Sequence, residues 1–379
     1  MPRPAVPDIA LPILLALALV LLVAPSTQAV TYPNLLDELQ HYAYTAYLAT
    51  TGDLTPALHR IPQDSGVFYL NHPPGYYALM APAYHVCSGD ALCLRLANLP
   101  FAAAWIALVY LAGRRAGLRP VGASALAVLA SASPVVAFMG GFINNDNLAF
   151  LAGALAAVAL APLIRGAPAS WWLAAAAVAI AGLAKATALL AVGTLTALAA
   201  IALRRHLGTR DVLLLGAGFA LAALPYIAFW IAYGDPVPNT RVLTGTLTPD
   251  ADRHTEDAGV FIGYFLDRLA TTMLEPVPVA PALAWVLAGL LWCAPALAAW
   301  RARGGTATAL WIAVGAAVWL QTLIHLQHIW GYLGAVHFRY YAPLLPFLLL
   351  ALVAALRPTA LRPTALRPTG ARGHAQPER

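Results

Sequence analysis

Apolar runs recur along this chain at about residues 9–24, 98–112, 121–138, 147–163, 170–183, 186–203, 211–232, 279–300, 306–328 and 341–356. Short stretches rich in Arg, Gly, Pro, Asn or Asp separate them. A spanning helix usually needs about 20 apolar residues, and several runs are shorter, so the boundaries are soft. Residues 170–203 also read as one long broken helix. The composition closes off the soluble alternative: with 61% hydrophobic and 10% charged residues and a mean hydropathy of +0.72, one water-surrounded core cannot absorb this chain. The expected fold is an all-α polytopic membrane protein of about ten transmembrane helices.

Charge sets the orientation. The net charge of +6 suggests nucleic acid at first sight, but the arginines fall in short clusters between apolar runs, where membrane topology explains them and a nucleic-acid partner is not needed. With a cytoplasmic N-terminus, 15 of the 22 basic residues fall inside, among them Arg114, Arg115, Arg119, Arg165, Arg204, Arg205, Arg210, Arg301 and Arg303. Loss of one helix in the middle would invert that bias for everything downstream. Of the 16 acids, 13 fall outside, and acids contribute little to orientation. Their skew points to polar chemistry on the outer face.

The drawn topology makes residues 1–356 one transmembrane domain, with outer loops at about 25–97 and 233–278. Residues 357–379 carry a Leu-Arg-Pro-Thr-Ala repeat that forbids a continuing helix and read as a disordered basic cytoplasmic tail. Ser-Thr-Gln-Ala at 26–29 is a passable signal-peptidase site, so cleavage competes with retention of the first segment. Residues 75–86 are apolar but short for a span. Cys87 and Cys93 can pair in an oxidising compartment; two unrelated small residues is the competing reading, and Cys293 reads as packing.

Charged groups near bilayer depth are costly, so each is a candidate site. Asp37, Glu38 and His41 follow the first run; on a helix, spacings of four and three place all three on one face. They serve either as a general base at a cleft mouth or as a solvated acidic helix start. Two carboxylates this close would perturb each other's ionisation. Asn144-Asn145-Asp146-Asn147 forms a polar outer turn that is in part plain turn and cap chemistry. Lys185, the only lysine, sits between two runs, either snorkelling or holding an anion. Arg339, flanked by Tyr340 and Tyr341, is an interfacial anchor or a phosphate fork. The charges of 233–278, His254 among them, read mostly as a solvated loop, with no recognisable metal-ligand spacing.

In this order, Asp37-Glu38-Leu-Gln-His41, Asn71-His72-Pro73-Pro74-Gly75-Tyr76-Tyr77, Asn144-Asn145-Asp146-Asn147, Gly182-Leu-Ala-Lys185 and Arg339-Tyr340-Tyr341-Ala-Pro343 resemble membrane glycosyltransferases of the GT-C fold. The nearest shapes are the protein-mannosyltransferase (family 39) and aminoarabinose-transferase-like enzymes, and a related bacterial family whose first loop reads Asp-Glu-x-x-His. The similarity runs from about residue 9 to 356, though Gly75 follows the proline pair where a mannosyltransferase-type lysine would need a basic residue. The resemblance implies an inverting enzyme of the bacterial inner membrane. It would move a sugar from a polyprenyl-phosphate donor to a lipid, glycan or protein acceptor on the outer face, without cofactor or metal. It implies Asp37 and Glu38 as catalytic residues, and His41, His72, Tyr76, Asn145, Asp146, Lys185, Arg339 and Tyr340 as donor-binding ones. A transporter or lipid flippase is the competing class; such proteins often carry internal repeats and midplane charges, and neither is evident here. An assembly partner in an envelope complex is a third.

Overall fold

A computed structural model describes residues 10–12, 14, 15, 17, 18, 31, 32, 37–54, 72–238, 255–275, 280–333 and 336–356. Among these residues the regular structure is helical, with no β-strand. Five helices are long and apolar enough to cross a membrane: α3 (Ala91–Arg115), α6 (Asp146–Leu160, extended by a 3-10 turn to Arg165), α9 (Thr209–Tyr233), α11 (Pro281–Ala302) and α12 (Gly305–His328). Shorter apolar helices complete the bundle: α4 (Pro120–Ser131), α7 (Trp171–Ala184), α8 (Ala186–Ala202) and α13 (Leu345–Leu356). Of the first expected span, residues 10–12, 14, 15, 17 and 18 are helical, and the remainder lies outside the described residues. The basic tail from 357 and the segment holding His254 lie outside them as well.

Local chemistry explains where these helices begin. Proline at the first turn opens α4 and α11, where its missing N–H is no loss. The Asp90 carboxylate caps α3 by accepting the Cys93 N–H at 2.7 Å. The α11–α12 hairpin turns on Arg303, Gly304 and Gly305, all with positive φ, a conformation that glycine adopts without steric cost.

Side-chain contacts give the direction of each pass. Asn98 meets Asn147 and Arg115 reaches the Val158 carbonyl, so α3 and α6 run parallel. Between them α4 and the short α5 (Pro134–Met139) climb back, with Gly113 against Ala123 and Gly140 against Ala102. Asn145 bonds the Ala184 carbonyl and Ser170 the Ala159 carbonyl, so α7 is antiparallel to α6. Gly182 packs on Ala222 and Gly218 on Ala175, which makes α7 and α9 parallel. The chain must therefore reverse at Lys185, whose extended backbone (φ −170°, ψ 154°) separates α7 from α8. Residues 170–203 are thus two helices of a hairpin. At one end of the bundle stand Arg114, Arg115, Arg119, Arg165, Arg204, Arg205, Arg210, Arg301 and Arg303, in or beside the connections between helices; the acidic turn at Asp146 is at the other.

Helix α6 is the centre: an 18-residue window along it is 83% buried, against 28% in α9. The outer surface is apolar, with Leu213, Leu224, Trp230 and Ile231 of α9, Val286 and Leu290 of α11, and Ile312, Trp319 and Leu323 of α12 all exposed. So large an apolar surface suits lipid and would be unfavourable in water.

The expected outer loops contain more structure than their Gly and Pro content indicated. Within 25–97 lie α1 (Glu38–Thr51), α2 (Gly75–Val86) and the first turns of α3. Within 233–278 lies α10 (Ala258–Thr271), with Phe261, Phe265 and Leu269 buried on one face. Cys87 and Cys93 form a disulfide across the α2–α3 turn. Cys293, expected to pack inside, is exposed on the outside of α11, because an apolar helix in such a bundle presents one face to its surroundings.

Candidate active site

Two close approaches bring distant segments to the acidic end. A Cβ on Gly75 would lie 2.6 Å from the Leu183 carbonyl oxygen, so only glycine lets the start of α2 touch the end of α7 beside Lys185. A Cβ on Gly153 would lie 2.0 Å from the Pro343 carbonyl oxygen, so α6 seats the 3-10 turns Phe338–Tyr340 and Ala342–Leu344 directly on its surface. The first turn carries Arg339, which thereby reaches Asp146 at the head of α6.

Four charges meet there. Lys185 Nζ donates to Asp146 Oδ1 at 2.6 Å, and Arg339 Nη2 donates to Asp37 Oδ2 at 2.9 Å. Arg339 Nε lies 3.8 Å from Asp146 Oδ2, an ion pair too long for a hydrogen bond. Both cations flank the Tyr340 ring, with Lys185 Nζ 5.0 Å and Arg339 Cζ 5.3 Å from its centroid. Asp146 is 1% exposed and Asp37 32%, so Asp37 alone of the two offers its carboxylate to an incoming group. Arg339 Nε and Nη1, Asp146 Oδ2 and Asn145 Oδ1 are buried and have no hydrogen-bond partner among the described residues. Such atoms carry a desolvation cost that a polar ligand would relieve.

Asp37 itself holds a left-handed backbone (φ 62°), uncommon for a residue other than glycine. Its carbonyl accepts from the Gln40 and His41 amides while its side chain caps nothing. This conformation sends Asp37 and Glu38 in different directions, and the expected convergence of Asp37, Glu38 and His41 on one face does not occur. Glu38 is completely buried in a two-pronged pair with Arg95, at 2.7 and 2.5 Å, and also accepts the Ile143 N–H at 3.2 Å. It is thus inaccessible to a substrate and ties α1 and α3 to the strand of backbone entering the Asn144–Asn147 turn. The two adjacent carboxylates take separate cationic partners, Arg339 for Asp37 and Arg95 for Glu38.

His41 Nδ1 pairs with the Tyr77 hydroxyl at 2.8 Å, and His72 Nδ1 with Asn145 Nδ2 at 2.9 Å. Since the amide donates, His72 Nδ1 accepts and its Nε2 carries the proton. Burial, with Lys185 nearby, pushes the His72 imidazole down to about 3. Burial likewise holds His41 well below the usual range, reinforced by His72, Lys185 and Arg339. Both rings are neutral, and net charge stays with the two acids and two bases.

Tyr76 lies one layer below: its hydroxyl donates to Asn98 Oδ1 at 2.7 Å and accepts the Asn144 N–H at 2.9 Å. Asn147 Nδ2 closes the turn on the Phe142 carbonyl, and Asn144 Oδ1 accepts the Asp146 N–H. Two of the four polar residues of the turn are therefore turn chemistry, and Asn145 and Asp146 are the two that face Lys185 and His72.

Arg95 and Asn98 are the participants that sequence reasoning missed. Their segment reads as loop up to residue 97, and the available signal was an arginine three residues from an asparagine at the head of an apolar run. Comparison with protein-family models, with curated proteins and with solved structures found no match.

Proposed function

We propose that this chain is a membrane glycosyltransferase that transfers a sugar from a polyprenyl-phosphate donor to an acceptor at the acidic end of the bundle, with inversion. One observation carries the reading: Asp37, Asp146, Lys185 and Arg339, from four separate parts of the chain, meet at one end of an apolar bundle, and two buried nitrogens of Arg339 have no hydrogen-bond partner among the described residues. Asp37 takes the proton of an acceptor hydroxyl. The hydroxyl oxygen bonds the anomeric carbon from the face opposite the phosphate, and the carbon–oxygen bond to phosphate breaks with its electron pair. The departing lipid phosphate gains negative charge, which Arg339 and Lys185 stabilise. Tyr340 holds both cations in place, and His72 holds Asn145 beside them. Asn145 and Tyr76 keep the turn beneath Asp146 in position, while His41 and Tyr77 pack the first outer segment over it. Glu38 positions; Asp37 reacts.

Orientation draws on two independent features. Arginines crowd the opposite end, as expected for a cytoplasmic face. The Cys87–Cys93 disulfide lies at the acidic end, as expected for an oxidising compartment such as the periplasm. A transport pathway is less well supported, since the buried paired acids and bases gather at one end, the arginines of the other end stand in or beside connections, and no charged cluster links the two through the described bundle.

The test is transfer by the reconstituted full-length protein from a panel of radiolabelled polyprenyl-phosphate sugars. Transfer from one donor, lost in Asp37→Asn with folding intact, is the expected result. No transfer from any donor rejects the enzyme reading, and near-normal transfer by Asp37→Asn rejects the base.

A further inference from the structure

A cleft of about 560 Å³ opens at the other, basic end of the molecule, between the foot of α6, the α11–α12 hairpin and the end of α13. Gly166, Trp300, Arg301, Arg303, Trp311 and Ala354 are among the residues that line it. Arg301 and Arg303 have no hydrogen-bonding or ionic partner among the described residues. Arg303 also occupies a left-handed backbone position (φ 52°) directly before two glycines that adopt the same sign of φ. Glycine or asparagine would suit that position better, so the arginine stands there against local backbone preference. Trp300, 73% exposed, stands beside both arginines at the end of an apolar helix, the level at which aromatic rings meet headgroups.

We infer that this cleft binds the phosphate of an anionic phospholipid from the leaflet around the basic end. Two unpaired guanidinium forks match a phosphate diester, the tryptophan faces match the upper acyl chain, and acids at this end are few, Asp211 being the one within the described helices. The inference is independent of whether the acidic end is catalytic.

The experiment reconstitutes the full chain into phosphatidylcholine vesicles with or without phosphatidylglycerol, extracts it gently and counts retained lipids by native mass spectrometry. Wild type is expected to retain phosphatidylglycerol over phosphatidylcholine. The Arg301→Gln/Arg303→Gln variant should bind it roughly thirtyfold more weakly, since each arginine at a membrane surface contributes about a factor of five. Arg204→Gln/Arg205→Gln removes the same charge at the same end away from the cleft and should lose little. Equal loss in both double variants would overturn the site in favour of general surface charge. Displacement of the lipid by millimolar inorganic phosphate would overturn the lipid assignment. A measurement that needs no variant is quenching by brominated phosphatidylglycerol, which should exceed quenching by brominated phosphatidylcholine; equal quenching counts against the site.

Discussion

The buried Glu38–Arg95 pair gives the sharpest test of how the site is held. The two side chains are 0% and 3% exposed and meet through two hydrogen bonds, so solvent screening does not weaken their coupling. Replacing Arg95 by Met removes the two-pronged cationic partner of a buried carboxylate; replacing Glu38 by Leu removes the two-pronged partner of a guanidinium that lies over the Phe142 ring, 4.8 Å away. Each single change should cost about 3–5 kcal/mol, a roughly hundredfold to several-thousandfold shift toward the unfolded state. The double variant removes both charges and, among the described residues, leaves the Ile143 N–H without its acceptor, a loss of about 1 kcal/mol. Reversible unfolding in mixed micelles, followed by tryptophan fluorescence, measures all four corners of the cycle. A coupling of at least about 3 kcal/mol is expected. Single costs that add within about 0.5 kcal/mol would refute the buried pair and the account of Glu38 as a positioning residue.

Stability should fall in mild acid. An unfolded histidine ionises near 6.5, whereas His72 and His337, both lowered to about 3 chiefly by burial, stay neutral in the folded protein. Below about 6.5 the unfolded state therefore binds the extra protons, so this contribution is complete above that pH and is lost toward 3, at up to ~1.4 kcal/mol per pH unit per ring; a denaturation midpoint independent of pH between 7 and 5 would refute it. Gly153→Ala should destabilise by about 3 kcal/mol or more and abolish transfer, because its Cβ would collide with the Pro343 carbonyl; wild-type activity and stability together would show that α6 and the Ala342–Leu344 turn, which follows Arg339, do not touch. In intact cells and a Cys293→Ala background, Cys87→Ser should expose Cys93 to a membrane-impermeant maleimide that leaves the disulfide-bonded parent unlabelled; labelling only after permeabilisation would invert the orientation.

Much of the architecture follows from patterning along the chain. Without water only helices and closed barrels satisfy every backbone hydrogen bond, and apolar runs this long and without polar alternation become helices; arginine clusters mark one set of connections. The polar interruptions at Asp37, Asn145, Asp146, Lys185 and Arg339 stand out for the same reason. Helices within the expected outer segments were less legible: α1 and α2 are rich in Tyr, and they pack on each other, with α2 also against α3 and α7, without a long apolar run to announce them. Partner choice was not legible at all. Asp37 and Glu38 are chain neighbours, yet one pairs with a residue 302 positions away and the other with one 57 away. A left-handed turn at Asp37 and a missing Cβ at Gly153 bring this about, and such long-range steric fits leave no periodic trace in a chain read one residue at a time.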